Sequence, residues 1–91
     1  MEELITEIRE DYQIPPYYPD KGIGRLITEG MEYLSKLNPG CDIRSDVVYR
    51  SLVKNYSYYA YHHKVDEFQT NYARMILTWQ LESEVTDGNT S

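Results

Sequence analysis

The sequence predicts an all-α fold, a small bundle of about four helices with an extended proline-rich strap after the first and a disordered tail at the C-terminus. Three observations carry this prediction. Apolar residues recur at three- and four-residue spacing in several segments, as on one face of a helix. No segment alternates apolar and polar residues over the length a half-buried strand needs. The stretches "IPPYYP" and "NPGC" punctuate the periodic segments with strong helix-breaking signals.

The first helix, about residues 2–12, places Leu4, Ile5, Ile8 and Tyr12 on one stripe, and its early glutamates suit the positive end of the helix dipole. Residues 14–19 follow with prolines at 15, 16 and 19. Proline fixes φ and removes a backbone donor, so an extended or polyproline-like strap is expected there, with Ile14, Tyr17 and Tyr18 pinned to the body. The second helix should begin at Pro19 or Asp20 and run to about Asn38, because proline and aspartate both suit a helix start. Ile23, Leu26, Ile27, Gly30, Leu34 and Leu37 form its core stripe together with Tyr33, opposite Arg25, Glu29, Glu32 and Lys36. Gly30 costs helix stability on its own, by roughly 1 kcal/mol against alanine. Its place in the apolar stripe therefore predicts close approach of another helix.

The third helix is expected to take Ser45 as its cap and to run through "DVVYRSLVKNYSYYAYHH". The fourth spans about 67–83, and the capping-box spacing of Asp66 and Gln69 predicts a break near Lys64, with one bent helix as the alternative. Its core stripe is Phe68, Tyr72, Met75, Ile76 and Trp79, with Trp79 set against Phe68 and Tyr72. Residues 1–83 thus make one helical domain, and the polar "EVTDGNTS" at 84–91 is expected to be disordered.

The "NYSYYAYHH" stretch, with four of the chain's ten tyrosines, raises the question of function. At roughly 100° per residue, Val48, Leu52, Tyr56, Tyr59 and His63 fall within a sector of about 80°, a core face. Tyr61, Tyr58 and His62 fall on the other side. Ala73, Leu77 and Leu81 likewise point away from the core stripe of the fourth helix. A small chain rarely exposes such patches without using them, and tyrosine is enriched at interfaces. Tyr58, Tyr61, His62, Ala73, Leu77 and Leu81 are therefore the candidate oligomer or partner interface.

Sharper chemistries fit less well. The net charge is −6, with five acids and one base in residues 1–11, three acids in residues 82–91, and a nearly balanced middle. Such a chain gains little from phosphate neutralisation, so any contact with DNA is expected to be passive, without specific binding, or mediated by a partner. Cys41 is the only cysteine, which excludes an internal disulfide and fits a reducing compartment. Zinc coordination by His62, His63 and Cys41 matches no finger spacing, and adjacent helical histidines diverge. "KGIG" is neither a P-loop nor a dinucleotide fingerprint. No catalytic, cofactor or metal site is expected. The acidic N-terminus does not read as a signal peptide, and no apolar run has membrane-spanning length.

The order "DKGIGRLITEGMEYLSKL", "NPGCDIRSDVVYRSLVKNYSYYA", "DEFQTNYARMILTWQL" resembles the head–tail connector, or head-completion, proteins of tailed bacteriophages. The resemblance spans about residues 18–81. It rests on Asp20, Leu26, Ile27, Gly30, Tyr33, Leu34, Gly40, Asp46, Arg50, Tyr56, Tyr59, Phe68 and Tyr72, with glycine at 30 where alanine is commoner. It implies a helical structural adaptor assembled in the virion as a homo-oligomeric ring beneath the portal protein, and because marginal interfaces often close only on a template, a monomer is compatible with the free protein. Such a ring extends the DNA channel and docks a tail or stopper protein. It implies synthesis in the bacterial cytoplasm and no enzymatic activity. The alternative is a small acidic protein that inhibits a host nucleic-acid-binding protein.

Overall fold

The computed structural model describes the backbone of residues 1–90 and the side chains of residues 1–83. The disordered tail expected over 84–91 falls outside the described side chains. Five helices follow one another: α1 (Glu2–Asp11), α2 (Asp20–Leu37), α3 (Val47–Tyr61), α4 (Val65–Asn71) and α5 (Ala73–Thr90). No strand occurs among the described residues. The all-α class holds, with five helices where about four were expected.

The centre of the molecule is an antiparallel hairpin of α2 and α3. Ile23, Ile27 and Leu34 are fully buried on α2, facing Tyr49, Leu52, Val53 and Tyr56 on α3. Gly30 is the point of closest approach, as its position in the stripe predicts. A Cβ on Gly30 would lie 2.9 Å from Cδ1 of Tyr56, so only a residue without a side chain lets that ring lie flat on α2. Gly40, in the turn after α2, has φ +86°, a left-handed conformation that favours glycine.

Capping differs from expectation at α3. Asp46, not Ser45, is the cap, its Oδ1 accepting from the backbone N–H of Tyr49 at 2.9 Å, while the Ser45 hydroxyl donates to Asp42. At α4 the cap is Lys64, with no side-chain cap, so the capping box at Asp66 and Gln69 does not form. α3 and α4 are separate helices joined through His62–Lys64 rather than one bent helix. His63, placed by periodicity on the core face, is exposed with φ +58°. The N–H groups of His63 and Lys64 bond the carbonyls of Ala60 and Tyr59, a Schellman ending in which histidine takes the place usual for glycine. α1 ends in the same way at Gln13, φ +52°, with Gln13 N–H on Glu10 and Ile14 N–H on Arg9.

The proline-rich segment is not helical, but neither is it simply extended. Tyr18 N–H bonds Pro15 O at 3.0 Å, so the chain turns there before entering α2. Ile14 is buried and Tyr18 half-buried, as expected, but Tyr17 is 87% exposed.

The fourth expected helix is broken at Tyr72, whose φ −107° and ψ 7° end α4 and restart the chain as α5. That reset decides which residues of α5 face the body. Ile76 and Trp79 are buried, whereas Met75, expected in the core, is exposed. Trp79 is in the core but not against Phe68 and Tyr72. Its ring stacks on Tyr49, centroids 5.6 Å apart and planes 6° from parallel, and its Nε1–H donates to Asp46 Oδ2 at 2.7 Å. Asp46 thus caps α3 with one carboxylate oxygen and anchors α5 with the other. Of the remaining expected core, Gly30 and Phe68 are buried, Leu37, Val48, Tyr59 and Tyr72 are partly buried against it, and Leu26 is half-buried at a shallow surface depression beside Ala60 and His63.

Candidate interaction surfaces

The outer tyrosines of α3 have partners within the chain. Tyr58 is half-buried beneath Tyr12, the two rings stacked at 4.5 Å and 19°. Tyr61 is half-buried with Tyr18 edge-on to it at 4.9 Å. The end of α1 and the turn that follows therefore lie over the tyrosines that periodicity assigned to a partner. Tyr58 and Tyr61 are thus only partly exposed, and each already has an aromatic neighbour from the N-terminal arm. His62 is exposed, with its ring edge-on to both Tyr58 and Tyr61.

Polar contacts fasten the same arm. Asn55 Oδ1 accepts from the hydroxyls of Tyr12 (3.3 Å) and Tyr72 (3.0 Å), tying α1 and the α4–α5 junction to one residue of α3. Glu7 pairs with Arg50 and, at 3.3 Å, with Lys54, which also reaches Asp11 at 2.5 Å. Arg9 donates to the carbonyls of Pro15 and Tyr18 and to the Asp20 carboxylate, clasping the turn from beneath. Burial pushes the Glu7 carboxyl up, but the hydrogen bonds and charges of Arg50 and Lys54 outweigh it and hold Glu7 below its ordinary value. The bond to Asp11 raises Lys54. Burial raises the phenols of Tyr12, Tyr56 and Tyr72, and that of Tyr49 to about 12 with a further push from Cys41.

α5 presents the opposite situation. Ala73, Leu77 and Leu81 are all exposed, Leu77 by 55% and Leu81 by 50%, together with Arg74 and Met75. Among the described side chains of α5, Ile76, Trp79, Gln80 and Ser83 are buried or half-buried against the body, where Gln80 donates to Leu37 O and Asn38 to Ser83. The candidate residues therefore form two separate groups with different environments.

The sequence places Tyr12 on the α1 stripe and Tyr18 against the body, but it does not show that they meet Tyr58 and Tyr61, nor the roles of Arg9 in the turn and of Asn55 between Tyr12 and Tyr72. Tyr12 and Tyr18 flank the prolines, which was the available signal that the strap carries rings back to the body. Among the described residues no three His, Cys, Asp or Glu side chains are grouped to hold a metal ion, and no helix is long and apolar enough to cross a membrane. No family model, curated protein or solved structure matches this chain.

Proposed function

We propose that the chain is a structural adaptor of a tailed-bacteriophage particle, a subunit of a ring beneath the portal that extends the DNA channel and docks a tail or stopper protein. One observation carries the reading. Six of the thirteen residues on which the resemblance rests pack together: Tyr56 lies on Gly30, 5.7 Å from the ring of Tyr33 and 5.4 Å from Phe68, while Tyr59 meets Phe68 and Tyr72. That packing supports the reading because the aromatic positions of the pattern act as one unit from α2 to the end of α4. The acidic balance fits a channel wall along which DNA slides without sticking, since like charges repel.

The other reading, an acidic inhibitor of a host nucleic-acid-binding protein, needs free carboxylates arrayed like a phosphate backbone. Three of the chain's fifteen acids, Glu7, Asp11 and Asp20, are instead paired with Arg50, Lys54 and Arg9 within the chain, which thins such an array. The test uses portal-bearing, DNA-filled heads that lack the protein. Added wild type should sediment with those heads and allow tails to join. No binding to heads and no tail joining would rule the adaptor role out.

A further inference from the structure

We infer that the outward face of α5 is one half of a head-to-tail contact between copies of this chain, and that the other half is the groove between the start of α1 and the middle of α2. Advancing 100° per residue, Arg74, Leu77 and Leu81 lie opposite the Ile76–Trp79–Ser83 side that meets the body. The face is two leucines deep with a cation at its N-terminal end. The groove, of about 730 Å³, is lined by Met1, Leu4, Met31 and Ile43, with Glu2 and Glu3 on its α1 side, Arg44 on its loop side, and Arg50, already paired with Glu7, on its α3 side. No residue of α4 or α5 lines it, so the two surfaces are distinct patches of one molecule.

Charge decides the occupant and its direction. Among the described residues Arg74, Glu2 and Glu3 are exposed and no ion pair engages them. Seating Leu77 and Leu81 over Met31 and Ile43 in one direction brings Arg74 to the acidic side of the groove; the reverse direction would set it against Arg44. A neutral apolar ligand would leave Glu2 and Glu3 unmatched. A second copy supplies both the leucines and the matching cation. Because the surfaces differ, the contact is heterologous and can repeat from copy to copy, closing only if the rotation allows. Two turns of helix cover much less than the roughly 800 Å² per partner of a stable complex, so the purified chain pairs weakly and the ring closes on a template. This contact is the repeat of the ring proposed above and rests on that reading for its place in the particle, but it is measured on the purified chain.

The experiment is sedimentation of the full-length protein from micromolar concentration up to about 1 mM, the range of a weak contact. Wild type should shift from monomer towards larger species. Leu77→Glu should abolish the shift by spoiling the α5 half, and Ile43→Glu should abolish it by spoiling the groove. An equimolar mixture of these two variants should form dimers and nothing larger, because only one good α5 and one good groove can meet. Arg74→Glu and Glu3→Lys test the charges on exposed positions that leave the core untouched. Each alone should weaken association by about tenfold or less, as expected of a rim pair, and the two in one chain should restore it. Wild type that stays monomeric at the highest concentration, a mixture without dimers, or self-association by Leu77→Glu equal to wild type would overturn the contact. Should Ile43→Glu lose helicity, the charge reversal and its rescue decide the matter by themselves. Association of this kind in a protein that fails to restore tail joining would leave the contact standing and remove the adaptor role.

Discussion

The N-terminal arm and α5 are both laid against the α2–α3 hairpin, and they are held in opposite ways. The arm buries Leu4, Ile8 and Ile14, and adds ion pairs through Glu7 and Asp11, the Arg9 clasp, and ring contacts from Tyr12 and Tyr18. α5 is fixed along one side by Ile76 and Trp79 and carries exposed leucines on the other. A residue can therefore point away from the core on a helical wheel for two reasons. It is covered by a segment distant in sequence, as Tyr58 is, or it is bare, as Leu77 is. Periodicity cannot separate these cases, and function depends on which one applies.

The sharpest way to break the contrast is to remove the side of α5 that does bind the body. Trp79→Ala deletes a buried ring, its stacking on Tyr49 and the bond to Asp46, and should cost about 3–5 kcal/mol. A urea titration followed by helicity should show the midpoint falling steeply or the fold lost, since domains of this size have little stability to spare. An unchanged midpoint would mean that α5 is not anchored through Trp79.

Gly30→Ala probes the hairpin on which both regions rest. Alanine improves helix propensity by about 1 kcal/mol, yet its methyl would meet the Tyr56 ring at 2.9 Å. Displacing a packed ring commonly costs about 1–3 kcal/mol, so a net loss of stability is expected. A gain in thermal stability would show that Tyr56 gives way without cost.

The arm should be the region most sensitive to pH. Glu7 has a lowered folded value, so its contribution is present above the ordinary carboxylate range and is lost as pH falls through that lowered value. Lys54 is raised, and its contribution is lost only at strongly alkaline pH. Amide protection in α1, taken relative to the intrinsic exchange rate, should fall below about pH 4 before protection in α2 and α3 does. Glu7→Gln should flatten that acid response. On the alkaline side, the raised phenols favour the folded state up to the ordinary tyrosine range and lose that effect as pH rises through their folded values, about 12 for Tyr49. Tyrosinate absorbance should therefore rise cooperatively with loss of helicity above about pH 10.

The smallest effect is expected at the left-handed helix endings. His63→Gly removes a side chain from a left-handed position and should stabilise by up to about 1 kcal/mol, measured by urea titration. A loss of stability would mean that the imidazole contributes more than the strain costs.

These cases show where the sequence was legible. The α2 stripe, the stop at Gly40 and the close approach at Gly30 follow from local chemistry, because periodicity, positive φ and missing side chains leave a direct mark on composition. The break at Tyr72 left none, since no proline or glycine accompanies it and the Tyr72 hydroxyl is held by Asn55. Helix ends close to Gln13 and Lys64 were expected, but the left-handed form of both endings hid for the same reason. Ser45 and Asp46 are equally competent caps, and the choice falls on Asp46, whose second oxygen is also claimed by Trp79 from across the molecule. The pairing of Tyr12 with Tyr58 is a property of topology, invisible until the arm is folded back. At the candidate interface, the α5 positions were correctly expected to point away from the core stripe, while Tyr58 and Tyr61 needed the structure.

Thermal melting of two double variants puts the contrast between the covered and the bare face to the question. Tyr58→Ser with Tyr61→Ser removes the partners of Tyr12 and Tyr18. At about 1 kcal/mol for each aromatic pair, the melting temperature should fall by on the order of 10 °C. Leu77→Ser with Leu81→Ser removes only exposed side chains and should leave melting within a few degrees of wild type, as surface changes usually do. The opposite pattern, with stable tyrosine variants and a destabilised leucine variant, would contradict it: α5 would then be covered by its own chain, and the tyrosines would be the free surface.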